Sequence, residues 1–356
     1  MPEISVETFA VTDLEDFIEL SRLEYGPSVA TNADHIRWKH LDSPFGASTY
    51  VSLAVSGKTV GRALLQPRPM CTASRELNVA CVTDVLIDRE FRSPPTNFIG
   101  VAKAMGNVSR FDVVCHTSNE RTNPLYSKLL HFPTPFSLLA YGFPLRAAGF
   151  LSVITRCRVE GLDWLLAPLR WLIRAVSSVV IYFARLDVSP LLLDDDELAV
   201  LCGKCLCQSG PFLARTNAFL KWRFADAPLS PATVYRVGRD AKFIGYIATN
   251  KSELGGLRYL ILMDFLLDPD APALVRISLR LWLIRSAITS KVDALFTMVN
   301  SFSSIARICT GFPLVSIPDA LLPHATPIFI RCRSNDSKEF ETDRSIHFTL
   351  ADLDYF

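Results

Sequence analysis

The chain has 356 residues, 49% of them hydrophobic, which is enough for two domains at a length of roughly 100–200 residues each. With 37 basic and 36 acidic residues the net charge is +1, so the overall field argues against nucleic acid or an anionic membrane as the main partner. Nine scattered cysteines without disulfide-like spacing suit a reducing compartment, and Met1 is followed by Glu3, Glu7 and Asp13 instead of an apolar leader, so a cytoplasmic location is expected.

In chain order, residues 4–25 read as a short strand and an amphipathic helix. Thr12 is the candidate N-cap, Glu15 its capping-box partner, and Leu14, Phe17, Ile18 and Leu20 the apolar stripe. After the motif Trp38-Lys39-x-x-Asp42-x-Pro44, alternation in residues 50–66 predicts a hairpin turning at Ser56-Gly57. Gly57-Lys58-Thr59 is not a phosphate-binding P-loop, because Ser52 stands where its first glycine belongs and a strand follows. A third strand, Ala80 to Asp88, carries Asp84, and a turn with two prolines leads to a helix beginning near Phe98.

A strand from Asp112 to His116 then passes through a polar turn into a helix with Asn119 as candidate cap and Tyr126 near its middle. A closing pair of strands is expected around residues 136–146. Between Gly149 and Asp196 the uncharged run from Arg174 to Arg185 is ten residues, against about 20 for a membrane span. It reads as an inter-domain helix, with a peripheral membrane contact through residues 162–187 as the lesser alternative. The acidic run Asp194 to Glu197 suits a helix start.

The second half repeats the first. Trp38-Lys39-x-x-Asp42-x-Pro44 recurs as Trp222-Arg223-x-x-Asp226-x-Pro228 at an offset of 184, Val60-Gly61 recurs as Ile244-Gly245, and Asp84 has its counterpart in Asp264. The stretch from Phe111 to Phe132 recurs from Val292 to Phe312, with Asn300 for Asn119. Order is kept and the offset drifts little, which means tandem copies of one domain, each large enough to bury its own core. The division is 1–148, a helical linker at 149–197, and 198–356.

Asn119 to Lys128, ending at Phe132, resembles the Asn-x-x-Ala-x-x-Leu-Tyr-x-Lys-x-Gly-Phe signature of the GNAT N-acetyltransferase family, with one extra residue and with His131 in place of glycine. The second copy keeps the spacing and Gly311 but has Arg307 in place of the tyrosine. The tandem layout is shared with Fem-type aminoacyl transferases, and the ending FTLADLDYF looks like that of tandem members associated with surface-polysaccharide genes.

The resemblance implies an α/β (α+β) fold: in each copy a mixed, mainly antiparallel sheet with helices on both faces, opened between its fourth and fifth strands to admit the pantetheine arm of acyl-CoA. It further implies transfer of an acyl group, from acetyl-CoA or another acyl-CoA and without a metal, to a small-molecule amine. Tyr126 would be the general acid and Asp84 a base or water-holding carboxylate, with His116 as an alternative base. Arg92, Thr96, Asn97, Phe98 and Asn119 would contact the cofactor. Pro95 and Asn97 stand where the family places glycines in its pyrophosphate turn, and Pro94 and Pro95 have no N–H to donate. The second copy offers Asp268-Pro-Asp-Ala-Pro-Ala there, so the first is the expected acyl-CoA site.

Two rivals remain open: a non-catalytic tandem module used for binding, and a transferase using aminoacyl-tRNA, which would need a basic groove. Cys202-x-x-Cys205-x-Cys207 reads as reduced thiols more readily than as a zinc site. Trp38 and Trp222 read as core-and-turn residues, with sugar stacking as the alternative.

Overall fold

The computed structural model describes residues 2–353 except 94, 119–121, 147–163, 165, 191–194, 230, 255, 309 and 319–325. The first half supplies strands β1 (Glu3–Thr8), β2 (Thr49–Val55), β3 (Lys58–Pro67), β4 (Val79–Ile87), β5 (Val113–Thr117) and β6 (Phe136–Pro144). The second supplies β7 (Leu186–Pro190), β8 (Thr233–Arg239), β9 (Lys242–Leu254), β10 (Leu257–Leu267), β11 (Ala294–Val299) and β12 (Thr326–Cys332). All lie in one sheet ordered β1-β2-β3-β4-β5-β12-β6-β11-β10-β9-β8-β7, with Val315–Ser316 also pairing β6. The pairing is antiparallel except for β4 with β5 and β10 with β11.

The order exposes an exchange. β6, the closing strand of the first half, pairs with β11 of the second, while β12 of the second pairs with β5 of the first; the two exchanged strands pair with each other between them. The two closing strands expected around residues 136–146 are therefore one strand, and the copies do not close separate cores. One cluster joins Trp38, Val79, Cys115 and Phe136 to Trp222, Leu260 and Phe265, and Phe329 of β12 enters a second with Val101 and Met105. The cause is that an apolar strand buried on both faces fits equally beside either copy's fifth strand.

Helices cover both faces. In the first half α1 (Leu14–Tyr25) and α2 (Ala33–His40) bury Phe17, Leu20 and Ile36 against Phe9, Tyr50 and Leu64. α3 (Thr96–Gly106) buries Val101, Ala102 and Met105. Thr12 does not cap α1: a 3-10 turn, Val11–Asp13, precedes the helix, and the Asp13 carboxylate accepts the Ala10 N–H at 2.7 Å. Beyond α4 (Ala167–Ala184), the second half adds α5 (Asp195–Ser209), the single turn α6 (Asn217–Leu220) and α7 (Ala273–Thr289). α7 buries Val275, Leu279, Leu283, Ile284 and Ile288, and α4 packs against it.

The repeated tryptophans meet at the junction. Trp38 and Trp222 stack with centroids 5.2 Å apart, and each indole N–H donates to the other's backbone carbonyl, at 2.8 and 2.9 Å. Both are buried, as core-and-turn residues should be.

Candidate active site

The strands that should open do so. β4 and β5 pair only at Val79–Val113, Ala80–Val114 and Cys81–Cys115, and then separate. Two local features drive them apart. β4 carries one extra residue opposite β3, between the Leu64–Thr83 and Arg62–Leu86 pairs, and Asp84 in that bulge takes a left-handed φ of 50°. β5 instead follows β12, with His116 opposite Phe329.

Between the separated ends lies a narrow slot of about 20 Å³, walled by Thr83, His116 and Thr117 and closed below by Ala351 and Asp352. The hydroxyl of Thr83 and both ring nitrogens of His116, which line this slot, and the hydroxyl of Ser118 just after β5 are buried without a hydrogen-bond partner among the described residues. Buried polar atoms are nearly always paired, so a row of orphans along one opening points to a polar ligand.

The second half has the same opening, β10 and β11 pairing only from Tyr259–Ala294 to Ile261–Phe296, but its slot is filled by the chain itself. Thr349 forms a bridge with Val299 and its hydroxyl donates to Asp264 at 2.8 Å, while His347 hydrogen-bonds the Phe265 carbonyl.

Tyr126 sits beside His116, ring centroids 3.9 Å apart, with Phe98 edge-on at 5.3 Å. It lies in a π-helical turn, Leu125–Leu129, closed by the Leu130 N–H to the Leu125 carbonyl at 3.0 Å. This wider turn accommodates the one residue by which the motif is longer than its family pattern. Burial pushes the Tyr126 hydroxyl well above its ordinary range and pulls His116 down to about 3, so both are neutral at pH 7. His131, where the motif has glycine, takes a φ of 51°, and Gly311 in the second copy 93°. The position is left-handed in both copies, which is why glycine suits it.

Phe98 also places the start of α3 next to Tyr126. The amides of Thr96, Asn97 and Phe98 lie in the first turn of this helix, at its positive end, which fits an anionic group. Arg92 is committed elsewhere: its Nε donates to the Ile87 carbonyl at 2.7 Å and its guanidinium pairs with Glu24 at 2.8 Å. Burial would raise Glu24, but Arg89 and Arg92 outweigh it and hold the carboxyl low. The Asn97 side chain donates to the Phe91 carbonyl. Arg92 and the Asn97 side chain thus build the turn, and the backbone is what faces outward. Asn119 lies outside the described residues.

Asp84 faces a different space, a cleft of about 490 Å³ at the junction lined by Ile36, Lys39, His40, Arg223 and Asn250. Its carboxylate contacts Lys39 Nζ at 2.6 Å and His40 Nε2 at 2.9 Å, and His40 Nδ1 is 3.0 Å from the Ser48 hydroxyl. Burial alone would raise Asp84, but Lys39, His40 and Arg62 hold it well below the usual range. A carboxylate so stabilised is a weak proton acceptor and a good anchor for a cation or a water.

Asp264, beside the bulge at Met263 in the second half, pairs with Arg215 at 2.7 Å in a buried chain running Asp264–Arg215–Asp352–Arg68. Sequence reasoning missed Lys39, His40, Arg68, Arg215 and Asp352. For Lys39 a signal existed: a cation follows the tryptophan in both copies, as Lys39 and as Arg223.

No family model matches the chain, and no curated protein matches it. Among solved structures, a GCN5-related N-acetyltransferase from Anabaena variabilis superposes with a TM-score of 0.60 at 12% identity, over 93% of this chain and 73% of that one. Saccharomyces cerevisiae N-myristoyltransferase with bound myristoyl-CoA superposes at 0.55 and 12% identity, over 93% of this chain and 79% of that one. An Enterococcus faecalis protein described as a probable N-acyltransferase superposes at 0.58 and 9% identity, over 93% and 72%. With the opened β4–β5 pair, the β4 bulge and the helix start beside it, these likenesses identify the fold as that of the GCN5-related N-acetyltransferases.

Proposed function

We propose that this chain transfers a short acyl group from acyl-CoA to an amine, with the donor in the β4–β5 slot of the first half and the acceptor in the junction cleft. The observation that carries this reading is the contrast between the two openings: the first is lined by Thr83 and His116, whose polar atoms have no partner among the described residues, while the second is filled by residues 347–349. In the first, the Thr96, Asn97 and Phe98 amides hold the pyrophosphate and the orphaned side chains take the pantetheine amides.

In the reaction the amine nitrogen forms the new N–C bond, the C–S bond breaks, the amine loses a proton and the sulfur gains one. Tyr126, kept protonated by burial, supplies the proton to sulfur, and the proton lost by the amine passes to water in the junction cleft. Asp84 with Lys39 and His40 orients the acceptor. The tail FTLADLDYF favours an amino sugar or another surface-polysaccharide precursor in that cleft.

Calorimetric titration with acetyl-CoA should give saturable one-site binding. Thr96→Asp, which puts a carboxylate at the helix start without disfavouring the helix, should weaken it by roughly tenfold. No binding at millimolar ligand would sink the proposal and favour a non-catalytic binding module, a reading supported by the commitment of Arg92 to Glu24. Once an acceptor is found, Tyr126→Phe should lower turnover by roughly 100-fold at an unchanged melting temperature. Unchanged turnover would remove Tyr126 from the chemistry.

A further inference from the structure

We propose that α4 is a membrane-surface anchor that seats the enzyme on an anionic bilayer. One face of this helix, with Ile173, Ser177 and Ala184, is buried against the protein, and Ser278 of α7 donates to the Val180 carbonyl. The opposite face presents Trp171, Leu172, Val176, Val179, Tyr182 and Phe183, whose exposure runs from 42% to 78%. Spacing of three and four residues puts them on one stripe along the helix. So long an apolar stripe with aromatic residues at both ends is a costly surface in water and an apt one at a lipid interface.

Charge selects the occupant. Neither α4 nor α7 contains an acidic residue, while Arg170, Arg174, Arg276, Arg280 and Arg285 lie on the two helices. Arg174 and Arg285 are exposed, and the Arg285 guanidinium donates to the Ser178 hydroxyl at the edge of the apolar stripe. The exposed Lys291 lies beside Arg170 and Arg174 around a surface hollow. Two nearby carboxylates are already paired, Asp293 with Arg146 and Arg258, and Asp240 with Arg185. An apolar stripe flanked by cations complements a lipid layer with anionic headgroups. At 18 residues and a hydropathy of 1.3, α4 also has the length and composition of a span, but Arg170 is fixed to the Leu145 carbonyl and the inner face is committed to the protein, so the helix lies along the surface.

The test is co-sedimentation of the full chain with vesicles of phosphatidylcholine alone or mixed with phosphatidylglycerol. Binding is expected to the mixed vesicles and to be reversed by salt. Arg174→Gln with Arg285→Gln should weaken it by roughly 25-fold, about fivefold per site. Val179→Ser with Tyr182→Ser and Phe183→Ser should abolish it at an unchanged melting temperature, since these side chains are exposed. Three results would overturn the proposal: no preference for the anionic vesicles; a dimeric mass by light scattering that the serine substitutions reduce to a monomer, which would make a second copy the occupant; or retention through a carbonate wash, which would make the helix a span.

Discussion

Moving from neutral pH to about pH 5 should remove most of this protein's stability. Burial pulls His40 and His347 down to about 4 and His116 to about 3, against an unfolded value near 6.5. Their stabilising contribution is therefore complete above about pH 6.5 and is lost as pH falls through the window toward the folded values, where the unfolded chain binds protons that the folded one excludes. At pH 5 each imidazole accounts for about 2 kcal/mol and the three together for about 6 kcal/mol, comparable to the total stability of an ordinary domain. Urea unfolding at the two pH values measures this directly. His116 gives the sharpest control, because its ring packs among Tyr126, Phe132 and Phe329 with both nitrogens unpartnered. His116→Phe should reduce the pH dependence by about a third and cost little at pH 7, since it removes two buried unsatisfied atoms. Equal midpoints at both pH values would mean that the imidazoles charge in place without penalty.

That expectation separates what the sequence discloses from what only folding reveals. The strand–turn–helix around Tyr126 and the opened sheet are legible because each is a local pattern or a family motif. Even the extra residue before Phe132 has a structural counterpart, the π-turn at Leu125–Leu129. The strand exchange is not legible. Phe136–Pro144 has the pattern of a buried strand whichever neighbour it joins, and pattern fixes the face a residue presents, not the strand beside it. Nor could the Asp84 environment be read, because Lys39 and His40 reach it only once α2 lies across the β4 bulge. Arg92 illustrates the opposite case: a residue in the family position whose side chain has been taken up by Glu24 and Ile87.

The same junction yields the second large effect. Arg215→Ala should destabilise the protein by about 3–5 kcal/mol, because it leaves carboxylates buried without their cation. Arg215 contacts Asp264 at 2.7 and 3.2 Å and Asp352 at 2.7 Å, and Asp264 also accepts the Tyr246 and Thr349 hydroxyls. The side chains of Asp264 and Asp352 are fully buried and that of Arg215 is 1% exposed. Burial alone would depress Arg215, but the two carboxylates outweigh it and raise it further, and Arg215 with Arg68 holds Asp352 low against its own burial. Two cations and two anions make the chain Arg68–Asp352–Arg215–Asp264 neutral as a unit, and deleting one member leaves a net buried charge. Arg215→Met combined with Asp264→Asn removes one charge of each sign and keeps Arg68 on Asp352 at 2.9 Å. The double variant should therefore be more stable than Arg215→Ala alone, although it changes more residues. Urea unfolding of the two variants against the parent decides the matter. A loss for the double variant equal to or larger than that of Arg215→Ala would show that Arg215 acts through packing on Phe219, over which its guanidinium lies at 5.3 Å, instead of through charge. If charge is the cause, the network has a second duty: Arg68 and Asp352 border the β4–β5 slot while Thr349, tied to the same carboxylates, fills the β10–β11 opening. One buried electrostatic unit then keeps the second opening closed and lines the first, which couples the two halves of the chain structurally.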